Sequence, residues 1–592
     1  MVDQSVVDQS GVRSLNDRVS SAVTTAIGRL RPDVSDADAM VRRSAHADFQ
    51  SGAAMALTRR TGLSSPDIAA ALAAELEATE LLSGATASGP GFLNLSVTDR
   101  AVWGQITARL DDPRLGVAAS EDRRRTVVDY SGPNIAKEMH VGHLRTTIIG
   151  DCLVRVLDFL GATVIRRNHL GDWGTQFGML IQYLTEHPDA RWRHGEVSGD
   201  TESVSAMDGL YKRARAEFDA DAAFAERARA RVVALQSGEA GTRERWREIV
   251  AESERAFAVV YARLGVLLTP QDSVGESSYA PVLADTVEAL VAAGIAVDSE
   301  GALVILSEEV RGPDDRPVPL MVRKSDGGYG YDTTDLAALR QRIDVLGAQR
   351  LLYVTDSRQA LHFRLIFEAA RRAGWLTDNI EAEHIAYGTV LGPDGRPFKT
   401  RAGGTVRLLD LLDDAVAHAE AIVTGKNPEL PATTVRRIAE QAGIGAVKYA
   451  DLSTSRIKDY TFDPARMVAL NGNTSVYLQY AHARIRSILR KAANERHEVD
   501  PTVCPEPAER SLALELDGYA TVLAEVGATL EPHRLCGYLY DLARAFTAFY
   551  DRCPVLTSPE PVRGNRLALC SLTARTLEQG LGLLGIDAPE RM

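Results

Sequence analysis

The stretch that most constrains the fold of this sequence is a short apolar strand that leads through a polar turn into a long apolar helix. Residues 126–128 favour extended structure, and the turn after them contains Gly132 and Pro133, which favour a turn over a central strand. Residues 144–160 then carry apolar side chains at helical spacing and end at a glycine. Because residues 162–167 form a second β-favouring run, the sequence predicts a right-handed β–α–β unit of an α/β fold.

Two histidines, His140 and His143, lie at the start of the predicted helix. Their spacing turns both rings to one side, beside backbone N–H groups that lack intrahelical partners. Gly142 leaves room for a ligand to approach the backbone, and Lys137 can supply a mobile positive charge. A lone His-x-x-His pattern is more often an ordinary helix surface or part of a metal site. The strand, the turn and the lysine together favour a site for nucleotide phosphates.

Length and composition indicate a soluble protein of several domains. At 592 residues the chain is too long for one core, and 45% hydrophobic with 25% charged residues is ordinary for globular proteins. We find no run of about 18 apolar residues, so we expect no contact with a membrane. Residues 1–14 are polar, contain Val-Asp-Gln-Ser twice and are expected to form a disordered tail. The five cysteines include no Cys-x-x-Cys pair, which argues against a zinc ribbon or a disulfide framework and suits the cytoplasm.

The net charge of −13 argues only against a uniformly basic surface. A local basic tract lies near the C-terminus and consists of Arg484, Arg486, Arg490, Lys491 and Arg496. Such a tract can contact nucleic acid on an otherwise acidic body, and it can equally be a solvated helix face. Charge alone leaves both interpretations open.

Helical patterns flank the predicted α/β region on both sides. Before it, residues 19–30 and 66–82 are apolar at helical spacing, and residues 91–95 resemble a strand, which predicts a small separate domain. After it, the helical patterns at residues 484–496, 512–530 and 535–550 predict a bundle. Within the α/β region, residues from about 186 to 265 read as amphipathic helices to which we assign no chemistry.

Several polar segments follow predicted strands, where open α/β sheets bind ligands. Residues 168–176 carry glycines, a histidine and Trp173 after the second strand. The alternative interpretation is a structural turn in which Trp173 packs against the fold. Residues 323–336 read as a glycine-rich hairpin that leads into a helix. The strand at residues 384–390 precedes a turn-rich loop with three cations, Arg396, Lys399 and Arg401.

Residues 131–145, Ser-Gly-Pro-Asn-Ile-Ala-Lys-Glu-Met-His-Val-Gly-His-Leu-Arg, resemble the signature segment of class I aminoacyl-tRNA synthetases, in the form typical of arginyl-tRNA synthetases. The resemblance extends from about residue 15 to residue 592, with the motifs in the family's order. It implies a Rossmann-like catalytic domain with a parallel sheet, a small α+β N-terminal domain and an all-α C-terminal bundle.

The resemblance also implies a division of the chain by role. The expected domains are a tRNA-binding domain for the D-loop side at 15–115, a catalytic domain at 116–405 with a helical insertion at about 186–300, a second-signature and stem-contact linker at 406–470, and an anticodon-binding domain at 471–592.

The implied reaction is the activation of arginine with ATP and its transfer to the 3′ end of the arginine tRNA. Arginine, ATP and this tRNA are thus the expected partners, and we expect a cytoplasmic monomer. Mg²⁺ is expected to accompany ATP without a metal site built from protein side chains.

The resemblance assigns site residues by position. For catalysis these are Lys137, His140, His143 and Lys399. For ATP binding they are His140, Gly142, His143 and Phe398. For arginine binding they are Asp129, Ser131, Asn134, His169, Tyr331, Asp335 and Gln359. For tRNA binding they are Phe92, Asn94, Tyr480, Arg484 and Met592.

The second signature of the family, Lys-Met-Ser-Lys-Ser, is degenerate in this sequence. Aligned on Gly403, Phe398 falls on the Met, Lys399 on the first Ser and Thr400 on the second Lys. In this family a lysine just before the first signature is thought to compensate, and Lys137 has that position. Since charge develops on the phosphates in the transition state, we rank Lys137 above Lys399. The N-terminal segment 46–52 also departs from the family pattern, at its second and last residues.

Alternative interpretations remain at this point. Asp335 could be a helix N-terminal residue favoured by the helix dipole, Asp129 could act indirectly, and Phe92 could belong to a core. A class I synthetase for another amino acid is one rival, against which the pocket carboxylates argue. A tRNA-binding relative without catalysis is the other, against which the intact histidines and lysine of the first signature argue.

Overall fold

We describe the protein from a computed structural model, over residues 11–76, 78–193, 206–398, 406–492 and 498–592. These residues form two compact units. The first unit combines the residues up to Ser120 with Ala469–Met592, and the second is Glu121–Val468. None of the helices in the described ranges is both long and apolar enough to cross a membrane.

The N-terminal part of the first unit is a four-stranded antiparallel sheet with helices packed against it, in the strand order β1-β2-β4-β3. The elements are α1 (Leu15–Leu30), β1 (Val41–Arg43), β2 (Phe49–Ser51), α2 (Ala53–Thr61), α3 (Ser65–Glu75), β3 (Leu82–Ser88), β4 (Phe92–Val97) and α4 (Asp99–Asp111). The predicted helix at residues 66–82 is therefore too long. It ends at Glu75, and Leu82 instead starts a strand that pairs with β4.

Residues 11–14 correct the expectation of a disordered tail over residues 1–14. The backbone carbonyl of Arg13 accepts a hydrogen bond from Gln105, and Ser14 is buried and caps α1 by accepting from the Asp17 N–H. A Cβ on Gly11 would lie 2.6 Å from backbone atoms of residues 116 and 118. These four residues thus pack on the domain, while residues 1–10 lie outside the described part of the chain.

The C-terminal part of the first unit is helical throughout its regular structure. Its helices are α16 (Ser475–Lys491), α17 (Pro507–Asp517), α18 (Tyr519–Thr529), α19 (His533–Arg552) and α20 (Val562–Leu583). The single helix predicted at residues 512–530 is in fact two helices, because α17 ends at Asp517 and α18 begins at Tyr519, with Gly518 between them. Residues 493–497, which include Arg496 of the basic tract, lie outside the described part.

The second unit is built on a five-stranded parallel sheet in the order β12-β11-β5-β6-β7. Its strands are β5 (Arg125–Asp129), β6 (Thr163–Leu170), β7 (Ser273–Gly275), β11 (Arg350–Asp356) and β12 (Glu381–Tyr387). Helix α5 (Leu144–Phe159) connects β5 to β6, as the apolar pattern predicts. The predicted α/β fold with a Rossmann-like parallel sheet is confirmed, together with the α+β N-terminal part and the helical C-terminal part.

Between β6 and β7 the chain forms a helix that follows β6 and then a helical insertion, defined here as residues 206–264. The elements are α6 (Thr175–Glu186), α7 (Ala206–Ala220), α8 (Ala222–Ser237) and α9 (Ala240–Leu264). Strand β7 returns to the main sheet, so the expected insertion at about 186–300 includes sheet residues that do not belong to it.

A small antiparallel sheet follows, with the order β10-β9-β8. Its region comprises α10 (Leu283–Ala292), β8 (Ala296–Ser299), β9 (Ala302–Arg311), β10 (Pro317–Arg323) and α11 (Tyr331–Asp344). The hairpin predicted within residues 323–336 is wrong, because β10 ends at Arg323 and a turn without a return strand leads into α11.

The remaining elements of the second unit are α12 (Ala360–Arg372), β13 (Val390–Leu391), α13 (Leu408–Lys426), α14 (Ala432–Leu452), β14 (Tyr460–Thr461) and α15 (Pro464–Met467). Helices α13 and α14 pack against each other, and α14 also packs on α5. The segment expected as a linker at 406–470 is thus largely part of the second unit.

Candidate active site

A cavity of about 460 Å³ opens at the carboxyl ends of β5, β6, β11 and β12, where parallel sheets bind ligands. The residues predicted from the sequence that line it are Asp129, Ser131, Gly142, His143, His169, Tyr331, Asp335 and Gln359. These residues come from five separate stretches of the chain. The fold therefore gathers most of the predicted arginine site and half of the predicted phosphate site in one place.

The turn between β5 and α5, residues 130–143, is called the signature turn below. Ser131 and Ala136 have positive φ angles of 74° and 63°. Residues other than glycine rarely adopt this backbone conformation, and surrounding contacts must stabilise it. The Ser131 N–H donates to the Thr146 hydroxyl at 3.0 Å, and that hydroxyl donates to the carbonyl of Val354 at 2.6 Å. These bonds tie the signature turn to both α5 and β11.

The two signature histidines lie with ring centres 4.1 Å apart. Nδ1 of His140 accepts from the Gly142 N–H at 3.0 Å, and Nδ1 of His143 accepts from the His140 N–H at 3.1 Å. Burial and the charge of Lys137 lower the pKa of His140, and burial together with His140 lowers the pKa of His143 to about 3. Both rings are thus neutral at pH 7, with Nε2 carrying the proton as a donor.

Gly142 is required by this arrangement. A Cβ on Gly142 would lie 2.8 Å from Cε1 of His140, closer than packed carbon atoms approach. A side chain at this position would displace the His140 ring and break its bond to the Gly142 N–H. The glycine therefore serves the placement of the histidine as well as access to the backbone.

Four predicted residues do not line the cavity: Asn134, Lys137, His140 and Phe398. Asn134 forms a bridge with Gly171, so its backbone joins the signature turn to the segment after β6. The Lys137 ammonium lies 5.2 Å from the ring centre of Tyr211, and the Phe398 ring lies 5.5 Å from that of Phe462. Lys399, predicted as catalytic, lies outside the described residues.

Part of the cavity lining is acidic. Asp335 lies near the start of α11, and one of its carboxylate oxygens lies 2.7 Å from Nε2 of His362. Nδ1 of the same ring lies 3.2 Å from Asp332. Although burial lowers the pKa of His362, the hydrogen bonds to Asp332 and Asp335 raise it to about 9. His362 is thus a cation that orients Asp335, and the Tyr331 ring packs on it at 5.2 Å.

Asp129 lines the cavity but is already paired. Its carboxylate accepts from the guanidinium of Arg342 at 2.6 Å, and Arg342 is fully buried and contacts the Tyr353 ring. Removing this partner would leave a buried cation without its counter-charge. The geometry therefore favours an indirect role for Asp129, in which it fixes Arg342 and the cavity wall.

Sequence reasoning missed Glu276, which also lines the cavity. Burial, and then the charges of Asp335 and Asp172, raise the pKa of Glu276 to about 7. The signal of Glu276 in the sequence is a carboxylate directly after a short strand, here β7, where ligand-binding residues of parallel sheets concentrate.

The predicted tRNA-binding residues lie in the first unit. In β4, Leu93 and Leu95 are buried, whereas Phe92 and Asn94 point to the opposite face and are only half-buried. The amide oxygen of Asn94 accepts from Gln50 on the neighbouring strand at 2.9 Å. The alternation of the strand thus makes Phe92 accessible and disfavours its interpretation as a core residue.

In the C-terminal part of the first unit, Tyr480 is 42% exposed on α16. The Arg484 guanidinium lies over this ring and over the Tyr550 ring, at 5.0 and 5.4 Å. Arg486 and Arg490 of the basic tract instead form ion pairs with Glu590. Met592, the last residue, is half-exposed.

Comparisons with known proteins agree over the length of the chain. Residues 105–464 match the family of class I tRNA synthetases (R), catalytic domain, residues 478–592 match the DALR anticodon binding domain, and residues 14–97 match the arginyl-tRNA synthetase N-terminal domain. The arginine–tRNA ligase of Frankia casuarinae is 65% identical over 98% of this chain and 99% of its own length. That of Streptomyces coelicolor is 51% identical over 98% and 100%.

Solved structures give the same result. The arginyl-tRNA synthetase of Plasmodium falciparum has a TM-score of 0.81 at 28% identity, and that of Thermus thermophilus has a TM-score of 0.80 at 27% identity. Each match covers 98% of this chain and 100% of the other chain. On the sequence matches and the shared structure, this chain belongs to the arginyl-tRNA synthetases, a family of class I aminoacyl-tRNA synthetases.

Proposed function

We propose that the protein is an arginine–tRNA ligase, which activates arginine with ATP to arginyl-adenylate and transfers the arginyl group to the 3′ end of the arginine tRNA. The observation that carries the proposal is one cavity lined by two chemically different sets of residues. Asp335 and Glu276, called the acidic end below, supply carboxylates, and the charge of Asp335 helps to raise the pKa of Glu276. The same cavity is lined by His143, a neutral donor, and by Gly142, which leaves access to the backbone. A cationic amino acid suits the first set and a nucleotide phosphate suits the second. The names of the close relatives support the same substrates.

The acidic end suits a guanidinium group. A planar guanidinium binds carboxylates best in its own plane, and Asp335 and Glu276 offer two. His362 holds Asp335 in one orientation, so less freedom is lost on binding. The ring of Tyr331 provides an aromatic face, and Ser131, Asn134, His169 and Gln359 are assigned to the amino and carboxylate groups of the amino acid.

The signature histidines and Gly142 suit the phosphates of ATP. Because Nδ1 of each signature histidine accepts a backbone N–H, each Nε2 is left as a neutral donor for a phosphate oxygen. Gly142 lets the nucleotide approach the backbone at the start of α5, where N–H groups favour anions. We keep Phe398 as a contact for the adenine side of ATP.

The chemistry proceeds in two displacements. A carboxylate oxygen of arginine attacks the α-phosphorus, and the bond to the bridging oxygen breaks, so that pyrophosphate leaves with its electron pair. Lys137 stabilises the charge that grows on the phosphates, since a preorganised cation acts most strongly on charge that develops in the transition state. A ribose hydroxyl of the terminal adenosine then attacks the activated carbonyl and AMP leaves. Lys399 remains a second candidate cation.

The first unit is assigned to tRNA. Phe92 can stack on an unpaired base and Asn94 can hydrogen-bond it, on the D-loop side. Tyr480 with Arg484 offers a second stacking surface for the anticodon, and Met592 is kept as a further candidate contact. We keep residues 15–115 and 471–592 as the two tRNA-binding domains.

We further propose that Mg²⁺ enters with ATP, as part of the substrate. Within the described ranges, no group of three or more His, Cys, Asp or Glu side chains is arranged to hold a metal ion, so we assign it no protein ligands. The proposed state is a monomer in the cytoplasm.

Arginine-dependent exchange of pyrophosphate into ATP tests the function directly. We expect exchange with arginine and cognate tRNA, and much less with other amino acids, because only arginine fills the acidic end with a guanidinium. Assays with and without tRNA measure whether activation requires it. Exchange with a different amino acid would favour the first rival, and no exchange under any condition would favour a tRNA-binding relative without catalysis.

A further inference from the structure

The helical insertion contacts the signature turn in two ways through α9. The Ser253 hydroxyl accepts from the Ala136 N–H at 3.0 Å, next to Lys137. The Tyr261 hydroxyl lies 2.7 Å from that of Ser131 and also accepts from Asn168. Since Ser131 and Ala136 have positive φ angles, these bonds stabilise two residues of the signature turn that have an unfavourable backbone conformation. The insertion is therefore part of the site and not only scaffold.

A third contact comes from α7 and reaches Lys137 itself. The Lys137 ammonium lies over the ring of Tyr211, 5.2 Å from its centre, within the range of a cation–π interaction. Ser253 fixes the backbone one residue before Lys137, so the backbone and the side-chain tip are held by two different helices of the insertion.

Tyr211 is itself well anchored. On α7, Met207, Leu210 and Ala214 are at most 5% exposed and follow helical spacing, so they form the buried face of this helix. Tyr211 lies beside that face and is half-buried. The position of its backbone is therefore set by the packing of α7, independently of Lys137.

A ring is a suitable partner for a lysine that must act on phosphates. A carboxylate would hold the ammonium but also cancel its charge, whereas the face of an aromatic ring attracts the cation without a counter-charge. Among the residues that the structure describes, we find no carboxylate within salt-bridge distance of the Lys137 ammonium. The long side chain of lysine otherwise has many rotamers, and holding it in advance reduces the entropy lost when it meets the phosphates.

We propose that Tyr211 is a positioning residue for Lys137, which it holds through the face of its ring so that the ammonium is in place when charge develops on the α-phosphate. This inference rests on the proposed role of Lys137. It assigns to the helical insertion a part in the activation step, and it concerns the aromatic ring of Tyr211 and not its hydroxyl.

The first experiment compares Tyr211→Leu with Tyr211→Phe in the pyrophosphate exchange assay with saturating tRNA. We expect kcat to fall about tenfold in Tyr211→Leu, with the KM for ATP and arginine changed less than about threefold. Tyr211→Phe keeps the ring and should retain most of the turnover. Phe218→Leu is the matched control, since Phe218 lies on the same helix under Arg215 and Arg229 and should leave turnover unchanged.

A double-mutant cycle separates positioning from general support of the fold. In a Lys137→Ala background, Tyr211→Leu should cause no further loss, because its effect acts through the lysine. Additive losses would overturn the inference and leave the role of Lys137 intact. A Lys137→Ala variant with normal turnover would instead overturn the proposed function of the lysine.

Graded fluorination tests the ring electrostatics without changing the size of the side chain much. Phenylalanine and its mono-, di- and trifluoro derivatives, incorporated at position 211, have progressively weaker negative ring faces. We expect the logarithm of kcat to fall stepwise with fluorination. Equal kcat for all four rings would overturn the inference even if Tyr211→Leu does not fold.

Discussion

Nε2 of His362 lies 2.7 Å from Asp335, and Nδ1 of the same ring lies 3.2 Å from Asp332. Both ring nitrogens therefore donate, and the histidine is held as a cation between two carboxylates. Only Asp335 of this pair lines the cavity. His362 therefore orients the Asp335 carboxylate of the acidic end before the substrate binds.

Asp335→Asn should raise the KM for arginine by about 10- to 100-fold, because a hydrogen bond between two charged groups becomes one to a neutral amide. The matched control is Asp332→Asn, which keeps the helix start and removes a carboxylate that contacts only the other side of His362. We expect less than a threefold change there. Steady-state aminoacylation over a range of arginine concentrations measures both, and equal effects would contradict the assignment of Asp335 to the guanidinium.

Arginine affinity should increase with pH around neutrality because of Glu276. Its pKa of about 7 means that it is largely protonated at pH 6 and ionised at pH 8, and the guanidinium binds the ionised form. Binding below pH 7 must therefore release a proton. In the pH range where each bound arginine releases one proton from Glu276, the affinity for arginine increases by up to about tenfold per pH unit. At higher pH Glu276 is already ionised before arginine binds, and the affinity no longer increases.

Calorimetric titration of arginine at pH 6 and pH 8, in buffers of different ionisation enthalpy, measures both the affinity and the proton released. Glu276→Gln serves as the control and should bind more weakly at pH 8 with a flatter pH profile. A wild-type affinity that is the same at both pH values would contradict a direct contact between Glu276 and the guanidinium.

Lys137→Ala should lower the turnover number about 100-fold and change the KM for ATP little, since the lysine is assigned to charge that develops in the transition state. Pyrophosphate exchange at saturating tRNA measures both parameters. Lys212→Ala is a control with the same change of charge at a lysine that is paired with Asp208. A loss of ATP binding as large as the loss of turnover would refute the transition-state role.

Phe92→Ala should raise the KM for tRNA about tenfold, the order expected for the loss of one stacked base, and leave the KM for arginine unchanged. Ser96→Ala is the matched control, because Ser96 lies on the same face of β4 and offers no ring to stack. Aminoacylation at varied tRNA concentration distinguishes the two. A change in arginine affinity would show that the N-terminal assignment is wrong.

The predictable parts of the fold are those that local sequence patterns determine. Periodicity alone predicted α5 and the two strands beside it. The break between α17 and α18 at Gly518 was missed because the apolar spacing continues across it. The signature histidines were found from their spacing. Glu276 and Tyr211 were not, because their importance depends on contacts with residues far away in sequence, at Asp335 and Lys137.

The family resemblance extended what the patterns alone could give. It located Asp129 and Asp335 as acidic groups of one pocket, and both line the cavity. It did not predict that Asp129 is paired with Arg342, because this ion pair joins β5 to the end of α11, two elements far apart in the sequence. Which of two similar carboxylates is free to bind a cation is decided by such long-range pairing.

The first unit contains a buried ion pair between Arg109 and Asp517, which are at most 3% exposed. The guanidinium donates to an Asp517 carboxylate oxygen at 3.0 Å and to the carbonyl of Leu115 at 2.8 Å, and the other carboxylate oxygen accepts from the Leu15 N–H at 2.7 Å. The pair thus joins α1, α4 and α17 within one unit.

Asp517→Ala should destabilise the first unit by about 3–5 kcal/mol, because it leaves the Arg109 guanidinium buried without its counter-charge. The control is Asp33→Ala, which removes an exposed ion pair with Arg31 and should shift the midpoint much less, because solvent screens the two charges. Urea unfolding followed by circular dichroism compares the transition midpoints.

Replacing both members of the buried pair with apolar residues, Arg109→Met with Asp517→Leu, should recover part of the loss, since no unpaired charge then remains. An equal midpoint for Asp517→Ala and Asp33→Ala would mean that water reaches Arg109 in the variant and that burial of the pair is not what holds the three helices together.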